Sequence, residues 1–305
     1  MASPIVSVIL LTYNHEAFIS QCLESLVSQK TAFPFEVIIG EDCSTDSTRS
    51  ICNQFAKKHS DIIRLPYRSI NLGLAENLIQ TLALAKGKFI TFQEGDDFYT
   101  ENDKLQLQVD ILDNETNIVA CTHNTNVIFP ESSYKLLKKV KPIYHLSDSL
   151  NGRIFHTNSW MIRKEFSPDF RQYFNHLICW DILMERKILE KGNVIYLDKT
   201  LSVWRKHDGG NSVKIPLKTQ FINFESLYKA LLSEARLNNN KSLINHYKLS
   251  LKNCYTSFAI SIATNDKILF PEAIFKSILW QFKTLDFDLL FFPRLVVNYF
   301  RKSDK

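Results

Sequence analysis

The chain has 305 residues, 45% of them hydrophobic and 23% charged, with a formal net charge of +5. That is the composition of an ordinary soluble globular protein, long enough for one large domain or a domain with an appendage. The charge is too modest to point to nucleic acid, and the six scattered cysteines include no C-x-x-C pair, so free cytosolic thiols are expected rather than a zinc site.

The first 125 residues alternate apolar runs with amphipathic segments. Ile5–Leu11 reads as a strand. Phe18–Ser28 follows as a helix with Phe18, Cys22, Leu23 and Leu26 on one face. Phe35–Gly40 is a second strand, and Thr45–His59 a second helix. Ile62–Pro66 is a third strand, and Leu74–Ala85 carries apolar residues at helical spacing. Phe89–Phe92 is a fourth strand, followed by a helix over Asp103–Leu112. This β-α-β-α rhythm predicts a parallel sheet with helices on both faces. Ligands of such sheets bind beyond the carboxyl ends of the strands.

The middle third is less regular. Tyr134–Lys141 is a basic loop or short helix. Ser159–Arg163, Val194–Leu197 and Leu201–Val203 read as strands, with a helix over Asp181–Lys191 closed by Gly192. Beyond Pro216 the pattern turns helical. Leu217, Phe221, Phe224, Tyr228, Leu231 and Ala235 form one face. After Asn238-Asn239-Asn240, Ile244, Tyr247, Leu251, Tyr255, Phe258 and Ile262 form another. Further helices are expected over Pro271–Lys283 and Phe287–Lys302. The expected division is an α/β domain over residues 1–215 and a helical appendage over 216–305.

Three carboxylates crowd the end of the fourth strand in Gln93-Glu94-Gly95-Asp96-Asp97. Like charges this close need a cation or a special environment. Mg²⁺ or Mn²⁺ would supply one, since both take oxygen ligands and bridge carboxylates to phosphates. A solvated acidic turn is the rival reading of these residues alone.

Five stretches in order, VSVILLTYN from Val6, EVIIGEDCSTDST from Glu36, Asn71-Leu72-Gly73 with Asn77, GKFITFQEGDD from Gly87, and Trp204-Arg205-Lys206-His207, resemble the inverting family 2 glycosyltransferases. The wording EGDDFYT is most similar to bacterial members that act on cell-surface polysaccharide or lipopolysaccharide. The resemblance implies a GT-A fold, here a mixed, mainly parallel sheet flanked by helices. It also implies transfer of a sugar from a nucleoside diphosphate, UDP in the first instance, to a hydroxyl of a glycan or lipid-linked acceptor. The C-terminal helices lie outside it.

Residue by residue, the resemblance implies a donor pocket of Thr12, Asn14, Glu41, Asp42, Asn71, Glu94, Asp96 and Arg205. Asp42 faces the base, with Tyr13 a candidate cover. Asp96, Glu94 and His207 are the implied ligands of Mn²⁺ or Mg²⁺, with Asp97 bracing the loop. The family's metal motif is Asp-x-Asp, so Glu94 departs from it by one methylene. Asp181 in Cys179-Trp180-Asp181 is the implied general base, with Asp169 and Asp148 as alternatives. One carboxylate suffices for an inverting transfer, because the acceptor hydroxyl becomes acidic as its oxygen bonds to carbon.

The acceptor side is expected between Tyr134 and Trp160 and in the helical region. The aromatic segment Leu285–Lys302 could lie in a membrane interface or form a dimer contact. Neither a signal peptide nor a spanning helix is expected, which suits a cytoplasmic protein, at the inner face of the plasma membrane where the acceptor is lipid-linked. Two rival functions share these motifs. A nucleotidyltransferase normally opens on a glycine-rich phosphate loop, and Val6–Asn14 has no glycine. A catalytically silent nucleotide-sugar-binding scaffold would not need Asp96, Asp181 and His207.

Overall fold

The computed structural model describes residues 3–210 and 215–265, with side chains to 258. The chain divides into two compact units, Met1–Asp148 with Arg153–Lys214, and Ser149–Gly152 with Ile215–Lys305. The helices expected over Pro271–Lys283 and Phe287–Lys302, and the membrane-interface segment Leu285–Lys302, lie outside the described residues.

The first unit is built on a ten-stranded mixed sheet. Its strands are β1 Val6–Thr12, β2 Phe35–Glu41, β3 Ile63–Arg64, β4 Phe89–Glu94, β5 Phe98–Tyr99, β6 Ile118–Ile128, β7 Ser133–Lys135, β8 Ile143–Tyr144, β9 Met161–Arg163 and β10 Asn193–Arg205. The order is β3-β2-β1-β4-β9-β6-β10-β5, with β7 on β6 and β8 on β10. β3, β2, β1 and β4 run parallel. β9 is antiparallel to both β4 and β6. This is the mixed, mainly parallel arrangement expected from the sequence.

Helices α1 Ile19–Val27, α2 Thr48–Lys58, α3 Gly73–Leu82, α4 Lys104–Asn114 and α5 Trp180–Lys191 complete the unit. Every residue of β1 and β2 is buried. A strand covered on both faces reads as a continuous apolar run, which is why VSVILL and FEVII were legible. α1 buries Ile19, Cys22, Leu23 and Leu26, the i, i+3, i+4, i+7 stripe that faces a core.

Three expectations change in detail. The third strand shrinks to Ile63–Arg64. The separate strands at Val194–Leu197 and Leu201–Val203 are one strand, β10, whose pairing with β6 shifts register between Leu197 and Thr200 and again before Ser202. The basic stretch from Tyr134 begins as β7, antiparallel to the end of β6.

Parallel register sets the functional loops side by side. Thr12 pairs with Glu41 across β1 and β2, and Leu11 with Glu94 across β1 and β4. The loops after β2, β1 and β4 therefore open at one end of the sheet.

In the second unit, α6 Leu217–Leu237 and α7 Lys241–Asn265 form a hairpin. Phe221, Tyr228, Leu231 and Ala235 of the first pack inward, as do Tyr247, Leu251, Tyr255 and Phe258 of the second. The Phe221 and Phe258 rings stack at 3.9 Å. Asn239 takes the turn at φ 52°, and the Asn240 side chain accepts the Leu243 N–H at 3.1 Å as the N-cap of α7. Among the described residues, no helix is long and apolar enough to cross a membrane.

Candidate active site

The loops after β1, β2 and β3 are tied together through Asp42. Its backbone N–H donates to the Thr12 carbonyl at 3.0 Å, and its Oδ1 accepts the Leu72 N–H at 2.7 Å. Asn71 donates from its side-chain amide to the Asp42 carbonyl at 2.9 Å. Asn14, at φ 54°, accepts the Thr45 N–H at 2.9 Å and donates its own N–H to Ser44 Oγ at 3.0 Å. Asparagine tolerates the left-handed region because its short amide bonds locally. Glu41 turns the other way. Its carboxylate accepts the Ser44 N–H at 2.7 Å and pairs with Arg49. Asn77 is buried, donating to the Gly40 carbonyl at 2.7 Å.

The acidic turn splits its three carboxylates between two neighbourhoods. Asp96 Oδ2 lies 3.1 Å from His207 Nε2 and 3.9 Å from His15 Nε2. Phe18 packs on the His207 ring at 4.5 Å, and the Arg205 guanidinium sits over Phe18 at 4.9 Å. Glu94 and Asp97 instead face His156, whose Nε2 is 3.9 Å from the Glu94 carboxylate and 3.7 Å from that of Asp97. One ligand atom from each of Glu94, Asp97 and His156 falls within a 4.8 Å cluster. Asp97 is fully buried and accepts the Arg205 N–H at 2.8 Å.

Electrostatics at this cluster favour a cation. Its recessed position, then the nearby Asp96 and Asp181, push Glu94 up to about 8, although a third of its side chain still meets water. Burial pushes Asp97 well above the usual carboxylate range, and Asp96 and Glu94 push further. Burial also holds His156 well below its ordinary value, so its ring is neutral, the form that binds a metal. Two compressed carboxylates and a neutral imidazole suit a hard divalent cation, which would take the place of the proton the carboxylates retain.

Asp181 occupies the first turn of α5, where the helix dipole favours negative charge. Its Oδ2 is bonded to the Arg153 guanidinium. Arg153 lies over the Trp204 ring at 5.1 Å, and Lys206 Nζ is 3.4 Å from the same ring. Burial, and then Arg153, lower Lys206 to about 8. Two cations and a carboxylate thus stand beside the acidic turn. The alternative bases are engaged elsewhere. Asp169 accepts the Arg171 N–H at 3.1 Å, and Asp148 pairs with Lys141.

Of the residues expected at the site, Thr12, Asn14, Asp42, Asn71, Glu94, Asp96, Asp181, Arg205 and His207 stand around the loops just described, whereas Glu41 is engaged by Arg49 and the Ser44 N–H. His156, Arg153 and His15 were not among the expected residues. The one signal for His156 was the polar run His-Thr-Asn-Ser set directly before the apolar run Trp160-Met161-Ile162.

Residues 7–190 match the family described as Glycosyl transferase family 2. The chain belongs to that family. An uncharacterized protein of Mycobacterium tuberculosis is 30% identical over 215 residues, covering 67% of this chain and 60% of that protein. The chain thus spans three-fifths of the length of that relative. The putative glycosyltransferase EpsE of Bacillus subtilis is 40% identical over 96 residues, 32% of this chain and 34% of its own. Among solved structures, S. aureus TarS 1–349 superposes with a TM-score of 0.61 at 19% identity, over 89% of this chain and 78% of TarS. The mannosyltransferase PcManGT from Pyrobaculum calidifontis, solved with GDP-Man and Mn²⁺, gives 0.52 at 16% identity, over 98% and 88%. At these identities the likeness concerns the fold, and it is the GT-A fold that the family resemblance implied.

Proposed function

We propose that this family 2 chain is an inverting glycosyltransferase that moves a sugar from a UDP-linked donor to a hydroxyl of a glycan or lipid-linked acceptor. One observation carries the reading. A cluster with the chemistry of a divalent-cation site, Glu94, Asp97 and His156, shares one end of the sheet with a carboxylate at a helix start, Asp181. TarS has been solved with UDP-GlcNAc, which supports a UDP-linked donor.

The residues divide the work. Asp42 and Asn71, with Asp42 braced against Thr12, take the nucleoside beside Asn14. Arg205 and Lys206 supply positive charge for the diphosphate. Glu94, Asp97 and His156 would hold Mn²⁺ or Mg²⁺, with Asp96 and His207 beside them. When bound, the ion supplies positive charge against the diphosphate. Asp181 takes the proton of the acceptor hydroxyl. The acceptor oxygen bonds to the anomeric carbon from one face, and the bond to the diphosphate oxygen breaks on the other. The leaving oxygen keeps the electron pair, so the configuration at the anomeric carbon inverts. The same reading places the protein in the cytoplasm, at the inner face of the plasma membrane when the acceptor is lipid-linked.

A thermal-shift screen of nucleotide sugars with and without Mn²⁺ tests it. UDP-sugars should raise the melting midpoint, and more so with Mn²⁺. A shift confined to guanine- or thymidine-linked donors would overturn the base assignment. Tight UDP binding with no turnover against any acceptor extract would mark a silent scaffold instead.

A further inference from the structure

We propose that Arg153 is a positioning residue for the Asp181 carboxylate, and that Glu185 holds Arg153 in place. The inference rests on the reading of Asp181 as base given above. Asp181 and Glu185 are four residues apart on α5, so both project from one helix face. Both carboxylates engage the same short strap of chain. Asp181 receives the Arg153 guanidinium, and Glu185 receives the N–H groups of the next two residues.

The Glu185 contacts explain an otherwise costly residue. Its side chain is fully buried, and burying a carboxylate is unfavourable unless its oxygens are satisfied. Here Oε1 and Oε2 accept the Ile154 N–H at 2.9 and 3.0 Å, and Oε2 accepts the Phe155 N–H at 3.0 Å. Arg186 stands 3.6 Å away. The strap is neither helix nor strand at residues 153–156, so sheet and helix ladders do not serve these N–H groups. Glu185 takes that role. At the far end of the strap, His156 stacks on Trp204 at 4.5 Å, and Arg153 covers the same ring. The strap is thus fixed at both ends.

The consequence falls on Asp181. Arg153 holds Oδ2, and the Ile182 N–H holds Oδ1 at 2.9 Å. Each oxygen keeps a further acceptor site, because an ionised carboxylate offers about four. A base fixed at both oxygens is already oriented when the acceptor arrives, and such orientation lowers the barrier.

The test uses the full chain, with UDP release from a panel of UDP-hexoses as the rate and UDP titration with Mn²⁺ as the binding readout. Arg153→Gln should lower kcat about tenfold or more and leave donor KM within about threefold. Arg153→Lys should recover part of the lost kcat. Glu185→Gln should repeat the kcat loss while UDP affinity holds. An Arg153→Gln protein with normal kcat overturns the inference. A loss of UDP affinity that matches the loss of kcat does so too, because it would assign Arg153 to the donor. Full transfer by Asp181→Asn would instead remove the base reading itself, whatever Arg153 does.

Discussion

The backbone N–H of Arg205 donates to Asp97 Oδ1 at 2.8 Å, so the end of β10 is bonded to the acidic turn after β4. The Arg205 side chain continues the connection, donating from Nε to the Asp96 carbonyl at 2.9 Å. EGDD and WRKH, motifs joined here across 108 residues of sequence, are held as one piece by this pair.

Asp97→Asn should separate the structural duty of Asp97 from its charge. The amide oxygen can still accept the Arg205 N–H, so the melting midpoint should change little. Loss of the charge should raise the Mn²⁺ concentration needed for half-maximal activity about tenfold, about 1.4 kcal/mol of binding. Asp97→Ala removes the acceptor as well and leaves a buried donor unpaired, which costs about 1–3 kcal/mol. Unchanged metal dependence in Asp97→Asn would remove Asp97 from the cation cluster.

Glu41 and Asp42 are neighbours with different duties. Glu41 is buried against Arg49 and the Ser44 N–H, so Glu41→Gln should lower stability by about 1–3 kcal/mol and leave UDP affinity within about threefold. Asp42→Asn keeps an oxygen for the Leu72 N–H but loses the charge proposed to face the base. It should cost about tenfold in UDP affinity with little change in melting. Denaturant melts and UDP titrations on both variants decide it. Equal losses of affinity in both would contradict the division.

The halves of the molecule were unequally legible. β1, β2 and β4 announce themselves because both faces of each are covered by apolar neighbours. β6 does not, although it is central and eleven residues long. Its middle reads Thr122-His123-Asn124-Thr125, polar residues that are all buried, the two threonines against hydroxyl partners that lie far away in the sequence. Thr122 meets Ser159 at 2.8 Å, and Thr125 meets Ser202 at 3.0 Å. Such pairing is tertiary, and no local pattern reveals it. The site followed the same rule. Residues in the family's motifs were nameable, whereas His156 and Arg153 reach the site only because β9 inserts antiparallel between β4 and β6.

Burial lowers Lys104 from 10.5 to about 7, so its titration should be visible in the stability of the whole protein. Its Nζ lies 2.8 Å from Gln108 Oε1, 3.4 Å from Thr91 Oγ1 and 4.1 Å from the Tyr99 ring centroid. Cys121 and His123 are its other titratable neighbours. Between about pH 7 and 10.5 the unfolded chain holds a proton here that the folded chain has lost, so stability should rise with pH across that window. At about 1.4 kcal/mol per pH unit of displacement, the rise amounts to a few kcal/mol at most. Lys104→Met should flatten it, as read by denaturant melts from pH 7 to 10. A variant with the same slope as the parent would place the titration elsewhere.

Gly95 is the point where the acidic turn passes closest to the first loop. Its N–H donates to the Leu11 carbonyl at 2.9 Å, and a Cβ there would collide with Thr12 Oγ1, and lie 2.7 Å from Thr12 Cβ and 2.8 Å from His15 Nδ1. Thr12 is buried and its Cβ cannot swing away, so Gly95→Ala must push β1 and β4 apart at their carboxyl ends. Overpacking of this kind costs about 1–3 kcal/mol. The functional loss should be larger than the stability loss, because the displaced atoms carry Glu94 and Asp96 away from His156 and His207. Thr12→Ala removes the Oγ1 contact, leaves the Cβ contact and should recover part of the stability in the double variant. A Gly95→Ala protein with parental melting and turnover would show that the two loops are not packed as described.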